Sequence, residues 1–220
     1  MITMTDYSQH GEQQVITNYF KGFIGTLLDL GANDGKTFSN SRALLEVGWF
    51  GVLVEPSEKT FKQLQKNCGH FPVQLHKVGI ADYCGTADFY ESGPLVTKDD
   101  HSLISSIKEN ETERWKKKSK PSDPIVEFTK TTIPVIDFKE LLKNSRCDTF
   151  DFITIDVEGM EVEILKQMDL KALGCKMICL EYNGKPEIAE IYDQLVPFPV
   201  IYKNRTNIIY AESKAGIVLL

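Results

Sequence analysis

The chain has no long hydrophobic run and no excess of positive charge. No apolar stretch approaches the roughly 20 residues that a membrane-spanning helix needs, and the first residues do not join a basic start to an apolar core. The sequence therefore predicts neither a membrane span nor a secretory signal. A net charge of −6 argues against a protein that holds nucleic acid mainly by bulk electrostatics.

Cysteines are few, and none of them form a Cys-x-x-Cys pair. There are five, an odd number, in a chain of 220 residues. They are most simply reduced and mostly buried thiols, which indicates a cytoplasmic protein. With 42% hydrophobic residues and no internal repeat, the sequence predicts one globular domain over residues 1–220.

A buried strand followed by a glycine turn spans residues 26–37. Asp29 lies at the end of the apolar run, and the spacing that follows is Asp-x-Gly-x-x-x-Gly. This differs from the Gly-x-Gly-x-x-Gly turn, whose second glycine admits a pyrophosphate. The turn favours a cofactor with no phosphate and with an amino-acid end, for which S-adenosylmethionine is the common choice. We expect Asp29 to serve its ammonium group, directly or through water. The candidate cofactor contacts of this turn are Asp29, Gly31, Asn33, Gly35 and Thr37.

A second buried strand, 50–54, ends in Glu55 and Pro56. Glu55 follows Gly35 by 20 residues, and in a βαβ unit an acid about 20 residues on holds ribose hydroxyls. The alternative is that Glu55 caps the helix that starts near Ser57. Because both acids follow their strands in one register, we expect Glu55, with Pro56, at the cofactor.

Strand and helix patterns alternate along most of the chain. We predict helices over 57–68, 137–145, 160–168 and 186–195, and strands over 26–30, 50–54, 73–78, 86–91, 128–134, 150–156, 176–182, 200–203 and 207–212. Such alternation predicts an α/β fold with a mostly parallel sheet and helices on both faces. The last two strands have no helix between them, which suits an antiparallel edge.

Residues 94–124 interrupt this alternation. The stretch is polar and includes the basic cluster Arg114–Lys120 around Trp115. A long segment without strand or helix pattern is often functional, so we interpret 92–127 as a substrate-side insertion or lid. His101 in this segment is a rival general base, although a solvated histidine is the simpler interpretation.

Acidic residues follow two later strands. Asp156 ends a buried strand, where a carboxylate can accept a proton from a hydroxyl or bind a metal. Glu158 and Glu181 are candidate catalytic partners, although Glu158 also suits a helix start. Asp156, Glu181 and Asn183 supply oxygen ligands that Mg²⁺ accepts. Metal-dependent catechol-type O-methyltransferases have an acid-Asn pair at the later strand. Here Tyr182 separates the pair, so an alternative is that Glu181 orders a loop or contacts substrate.

The sequence resembles the FkbM-type S-adenosylmethionine-dependent methyltransferases. The resemblance rests on the motifs at 8–12, 29–35, 54–56 and 155–161, the last being Ile-Asp-Val-Glu-Gly-Met-Glu, followed by Ile164-Leu-Lys166. It implies a Rossmann-like fold with a seven-stranded sheet, and methyl transfer, usually to hydroxyls of sugars, glycans or polyketide-type natural products. By the same resemblance Ile80, Ala81 and Asp82 lie at the adenine, with Asp82 near its exocyclic amine.

The predicted function is therefore O-methylation of a small-molecule or carbohydrate acceptor, with Asp156 as the base. RNA 2′-O-methylation is an alternative that the basic cluster keeps open. That chemistry uses a Lys-Asp-Lys-Glu quartet, for which Asp156, Lys185 and Glu212 are available without forming a convincing set. A second alternative is a cofactor-binding protein of the same fold without catalysis.

Overall fold

A computed structural model describes residues 5–93, 103–118 and 127–213 of the chain. The helices in these ranges are α1 Glu12–Tyr19, α2 Arg42–Glu46, α3 Glu58–Cys68, α4 Glu109–Lys118, α5 Phe138–Asn144, α6 Glu161–Leu165 and α7 Pro186–Leu195. The strands are β1 Thr26–Leu30, β2 Phe50–Val54, β3 Val73–His76, β4 Gly79–Ile80, β5 Gly85–Ser92, β6 Phe128–Ile136, β7 Phe152–Ile155, β8 Met177–Glu181, β9 Val200–Lys203 and β10 Asn207–Ala211.

Seven strands form the main sheet, in the order β3-β2-β1-β7-β8-β10-β9. The first five pair in parallel, and β10 runs antiparallel to both β8 and β9. The central strands are apolar and buried, as expected for a parallel sheet covered on both faces. The predicted fold class, a mostly parallel α/β sheet with an antiparallel edge, is confirmed.

Successive residues of the central strands enter two separate hydrophobic cores. Leu28 and Ile153 belong to the larger core, whereas their neighbours Leu27 and Phe152 belong to the smaller one. This alternation follows from the two-residue period of a strand. The smaller core also contains Ile16 of α1, so the N-terminal helix is packed against the sheet.

A second sheet has three strands, in the order β4-β6-β5. The predicted strands 86–91 and 128–134 both exist, and they pair with each other in antiparallel register. The predicted strand 73–78 ends instead at His76, and Gly79–Ile80 pairs with β6. Strands β5 and β6 carry many exposed residues, so they do not suit the interior of a sheet covered on both faces.

The predicted irregular segment contains a helix, α4. Its first turn is acidic, and Glu111 forms an ion pair with Arg114 one turn later. This polar helix has no apolar stripe of the kind that reveals a helix in sequence. His101 and Lys120 lie outside the described residues. No helix in the described part of the chain is long and apolar enough to cross a membrane.

Candidate active site

The carboxyl ends of the parallel strands open into a cavity of about 670 Å³. Leu30 pairs with Ile155, and Ile155 pairs with Leu180, so Gly31, Asp156 and Glu181 come next on three adjacent strands. Ligands bind at this edge in open α/β sheets. The sheet therefore brings Asp29, Asp156 and Glu181 to one cavity although they are distant in sequence.

The glycine turn lies directly against the next strand. Gly31 has φ +90°, and a Cβ placed on it would overlap the backbone carbonyl of Asp156. The N–H groups of Gly31 and Ala32 both donate to the carbonyl of Val54 at 3.0 Å. Only glycine allows this approach without strain, which leaves the turn flush with the cavity.

Gly35 serves packing and does not line the cavity. It has φ +70°, and a Cβ there would overlap the side chains of Cys68 and Leu64 on α3. The second glycine of the motif thus lets the turn pack on α3. This differs from the direct ligand contact that the sequence suggested.

Glu55 is 4% exposed and accepts two backbone hydrogen bonds. The N–H of Asn33 donates at 3.1 Å and that of Ser57 at 2.8 Å. Burial raises the pKa of Glu55 to about 8, although both hydrogen bonds lower it. Asp29 accepts from the hydroxyl of Ser41 at 2.5 Å, and burial raises its pKa to about 6. Ser57 also caps α3 itself through its hydroxyl, so α3 does not need Glu55 as its N-cap.

Three carboxyl groups meet at the other side of the cavity. Asp156, Glu158 and Glu181 each offer one oxygen, and these atoms lie within 4.8 Å of one another. Burial raises the pKa of Asp156 to about 7, with further increases from Glu161 and Asp29, while a hydrogen bond with Glu181 lowers it. Burial and the neighbouring carboxylates hold the pKa of Glu181 well above its usual range. Two acids this close do not both ionise readily.

Glu158 holds α4 against the body of the protein. Its carboxylate accepts from Arg114 Nη2 at 3.2 Å and from Trp115 Nε1 at 3.1 Å. Its backbone carbonyl accepts from the Ser106 hydroxyl at 2.6 Å. Glu158 has φ +55°, and the adjacent Gly159 has φ +118°. This turn presents the Glu158 carboxylate to α4, so that carboxylate already has two donors.

Glu161 caps the turn that follows Asp156. Its carboxylate accepts from the N–H groups of Val157 at 3.1 Å and Gly159 at 3.0 Å. No backbone N–H of the described residues caps the Asp156 carboxyl in this way, which leaves that group available to the cavity.

The N-terminal segment forms a further wall of the cavity. Gln9 and His10 line it together with Arg205 from the β9–β10 turn. Glu12, which is fully buried, joins the two segments by accepting from the His10 N–H at 2.8 Å and from Asn204 Nδ2 at 2.6 Å. Although burial raises the pKa of Glu12, hydrogen bonds from Asn207 and Asn204 lower it overall.

Comparison with known protein families identifies the family of this chain. The sequence model described as the methyltransferase FkbM domain matches residues 29–205. The chain belongs to the FkbM methyltransferase domain family. This confirms the resemblance seen in the sequence and means that the chain carries an S-adenosylmethionine-dependent methyltransferase domain. No curated protein matches the chain.

Solved structures with a similar fold are methyltransferases. The METTL16 MTase domain is 14% identical with a TM-score of 0.47, covering 93% of this chain and 66% of its own. The ribosomal protein L11 methylase from Lactobacillus delbrueckii subsp. bulgaricus is 11% identical with a TM-score of 0.48, covering 92% and 78%. The FkbM chain thus spans just under two thirds of the METTL16 chain's length. Neither likeness bears on the acceptor.

The family implies S-adenosylmethionine, and the residues present fit it. Asp29 and Glu55 are buried acids at the cofactor side of the cavity whose pKa values are raised mainly by burial. A ligand that brings ammonium and sulfonium charges, with two ribose hydroxyls, would offset that cost. Gly31 lines the cavity, so its backbone, which carries no side chain, is open to close approach by a ligand.

Most residues predicted for the FkbM site line this one cavity. They are Asp29, Gly31, Asn33, Thr37, Glu55, Pro56, Ile80, Asp156, Glu158, Glu181 and Asn183. Gly35, Ala81 and Asp82 do not line it, and Asp82 is exposed after β4. Sequence reasoning gave no role to several lining residues: Gln9, His10, Phe38, Asn40 and Arg205. The motif at 8–12 was the signal for the first two.

Proposed function

We propose that this protein transfers a methyl group from S-adenosylmethionine to a hydroxyl of a sugar, glycan or natural-product acceptor. One observation carries the proposal: the carboxyl pair Asp156–Glu181 lies in the same cavity as the cofactor-side acids. A hydroxyl is a poor nucleophile until its proton is removed, and a base with a pKa near neutrality does this best. The pKa of Asp156, raised by burial to about 7, meets that need.

The cofactor would be held by the β1 and β2 turns. Asp29 would face its ammonium group and Glu55 its ribose hydroxyls, with Asn33 and Pro56 beside them. Ile80 would contribute an apolar wall on the adenine side. When bound, the cofactor supplies an electrophilic methyl group on a sulfonium centre. The protein's part is to hold the acceptor in line with it, which accounts for much of the rate in such reactions.

Asp156 would accept the proton of the acceptor hydroxyl. Glu181 would support it by sharing a proton within the pair, which sets the basicity of Asp156. Glu158 would act mainly through α4, because its carboxylate holds Arg114 and Trp115. Trp115 lines the cavity and would exclude water from the acceptor side.

Mg²⁺ at this edge is the alternative way to activate the hydroxyl. Carboxylate oxygens are the ligands a hard cation prefers, and the cluster that the structure forms is Asp156, Glu158 and Glu181. Asn183, predicted as a ligand, lines the cavity. We favour the base, because the Glu158 carboxylate already accepts two hydrogen bonds.

Acceptors of other classes remain alternatives, and one observation bears on RNA. The quartet of RNA 2′-O-methyltransferases would need Asp156, Lys185 and Glu212 together. Glu212 follows β10 beyond the pair Ala211–Met177, at the opposite end of the sheet from Asp156. Lys185 forms an ion pair with Glu111 at 3.3 Å. This favours a carbohydrate-like acceptor over nucleic acid. The other alternative is a protein that binds the cofactor without catalysis, and only an activity assay distinguishes it from the enzyme.

Two further expectations belong to the proposal. We propose that residues 1–220 act as one domain, with 92–127 as its acceptor-side insertion, because α4 in that segment borders the cavity through Trp115. We also propose a cytoplasmic setting, which the five free cysteines support.

Calorimetry of cofactor binding tests the proposal first. Wild type should bind S-adenosylmethionine and S-adenosylhomocysteine, and Glu55→Ala should weaken both at least tenfold. Titrations with Mg²⁺ and with EDTA decide whether a metal contributes. Binding followed by turnover of a hydroxyl acceptor supports the enzyme, whereas binding with no turnover across sugar, glycan and RNA acceptors supports the non-catalytic alternative. Absence of binding under every condition would overturn the proposal.

A further inference from the structure

Arg205 is the single lysine or arginine among the residues described as lining the cavity. Five carboxyl groups line the same space: Asp29, Glu55, Asp156, Glu158 and Glu181. In the described part of the chain, no carboxylate lies within 4.0 Å of the Arg205 guanidinium, whereas Arg42 and Arg114 both form ion pairs. A cation left without a carboxylate at the mouth of an acid-lined cavity is available to a ligand.

The backbone that carries Arg205 is held by many hydrogen bonds. Asn204 Oδ1 accepts from the N–H groups of Thr206 at 2.8 Å and Asn207 at 2.7 Å. The Thr206 carbonyl accepts from the N–H groups of Tyr182 at 2.8 Å and Asn183 at 3.1 Å. The turn between β9 and β10 is therefore fixed to the end of β8, and Arg205 extends from a rigid base.

His10 orients the guanidinium. Arg205 Nε donates to His10 Nε2 at 3.3 Å. The His10 backbone is fixed at both groups, since its N–H donates to Glu12 at 2.8 Å and its carbonyl accepts from the Tyr202 hydroxyl at 2.6 Å. This arrangement uses one of the five N–H groups of Arg205 and leaves both terminal nitrogens without a protein acceptor in the described residues.

We propose that Arg205 and His10 form a carboxylate-binding subsite at the mouth of the cavity. A guanidinium with both terminal nitrogens available matches a carboxylate in a two-pronged geometry. Without it, the acids that line the cavity would repel any anionic group that entered. The proposal rests on the methyltransferase function above and extends it. Two ligands of that function could supply the carboxylate: the cofactor, through its α-carboxylate, or an acidic sugar acceptor.

The cofactor source is tested by calorimetry with two ligands. S-adenosylhomocysteine carries the α-carboxylate, and 5′-methylthioadenosine lacks the whole amino-acid end. If the cofactor is the source, Arg205→Gln should weaken S-adenosylhomocysteine at least tenfold and leave 5′-methylthioadenosine within twofold. The matched control is Lys203→Gln on the same hairpin, because Lys203 is exposed, lies over the Tyr182 ring and does not line the cavity.

The acceptor source is tested by NMR titration of the same proteins with D-glucuronate and with D-glucose. If the acceptor is the source, wild type should bind glucuronate at least fivefold more tightly than glucose, and Arg205→Gln should remove that difference. Lys203→Gln should keep it. Circular dichroism melts of each variant establish that the fold is intact.

Either positive result supports the subsite and identifies its source. The proposal is overturned if two results occur together. The first is that Arg205→Gln leaves S-adenosylhomocysteine affinity within twofold. The second is that wild type shows no preference for glucuronate over glucose, or that Arg205→Gln keeps the wild-type preference. Failure of the proposed function looks different: wild type then binds neither adenosyl ligand, or it binds both and turns over no acceptor. The glucuronate titration on the free protein still tests the subsite in that case.

Discussion

The two halves of the cavity are built in different ways. The half where we propose that the cofactor binds, called the cofactor half, comes from two consecutive βα turns, and main-chain geometry fixes it: Gly31 lies against the carbonyl of Asp156, and Glu55 accepts two backbone N–H groups. The other half, called the acceptor half after the proposed function, is bordered by α4, the N-terminal segment and the β9–β10 turn, which are held in place by polar side chains such as Glu158 and Glu12. Backbone packing tolerates little change, whereas side-chain docking can vary with the acceptor.

The largest expected effect is at the point where the halves meet. Replacing Asp156 by Asn removes the proposed base and keeps the size of the side chain. We expect kcat to fall about 10³-fold, in the range that a general base contributes, while S-adenosylhomocysteine affinity stays within threefold. Single-turnover assays measure the loss of rate, and calorimetry measures the S-adenosylhomocysteine affinity. A Asp156→Asn variant with wild-type kcat would show that the proton leaves by another route.

Gly31→Ala should be the most destabilising change in the cofactor half. The new Cβ would overlap a backbone carbonyl and also force an L residue to φ +90°. Left-handed strain and overpacking together should lower the free energy of unfolding by about 4 kcal/mol. The control is Gly48→Ala, where φ is +98° but nothing lies within 4 Å, so only strain of about 1 kcal/mol applies. Denaturant unfolding gives both values, and equal losses would contradict the close approach.

The difference between backbone packing and side-chain docking also decides how much of each half could be predicted from the sequence. Asp29, Glu55 and Asp156 all follow apolar runs, so strand periodicity alone indicated their common edge. The packing role of Gly35 needed the position of α3, which no local pattern contains. In the acceptor half, α4 lacks an apolar stripe, and Glu12 meets Asn204 across 192 residues of chain. Contacts of that kind depend on sheet topology, and the sequence motif at 8–12 marked the segment without showing its partner.

The pH dependence of stability should report the buried acids of both halves. Ordinary pKa values near 4 apply in the unfolded chain, whereas burial raises those of Asp29, Asp156 and Glu55 to about 6, 7 and 8. The folded state therefore binds more protons between these limits, and its stability falls as pH rises from 5 to 8. We expect the Tm of the free protein to fall by several degrees over this range, since about 3 °C corresponds to 1 kcal/mol in a chain of this size.

Two scans sharpen that prediction. Glu55→Gln removes the group whose pKa is the highest of these three and should flatten the slope between pH 6 and 8. Saturating S-adenosylmethionine should also flatten it, because a cation offsets the cost of ionising the acids. A Tm that rises steadily from pH 5 to 8 in the free protein would contradict the burial of these groups.

The smallest expected effect belongs to side-chain docking in the acceptor half. Trp115→Phe keeps a ring in the cavity wall but removes the Nε1 donor to Glu158 at 3.1 Å. A hydrogen bond of this kind contributes about 0.5–1.5 kcal/mol, and Arg114 still holds the same carboxyl group. We therefore expect a three- to tenfold rise in acceptor KM, with kcat and S-adenosylhomocysteine affinity within twofold. Lys117→Gln, an exposed change on the same helix, should alter none of these. A loss confined to cofactor affinity would mean that α4 belongs to the cofactor half, and the division drawn between the two halves would then be wrong.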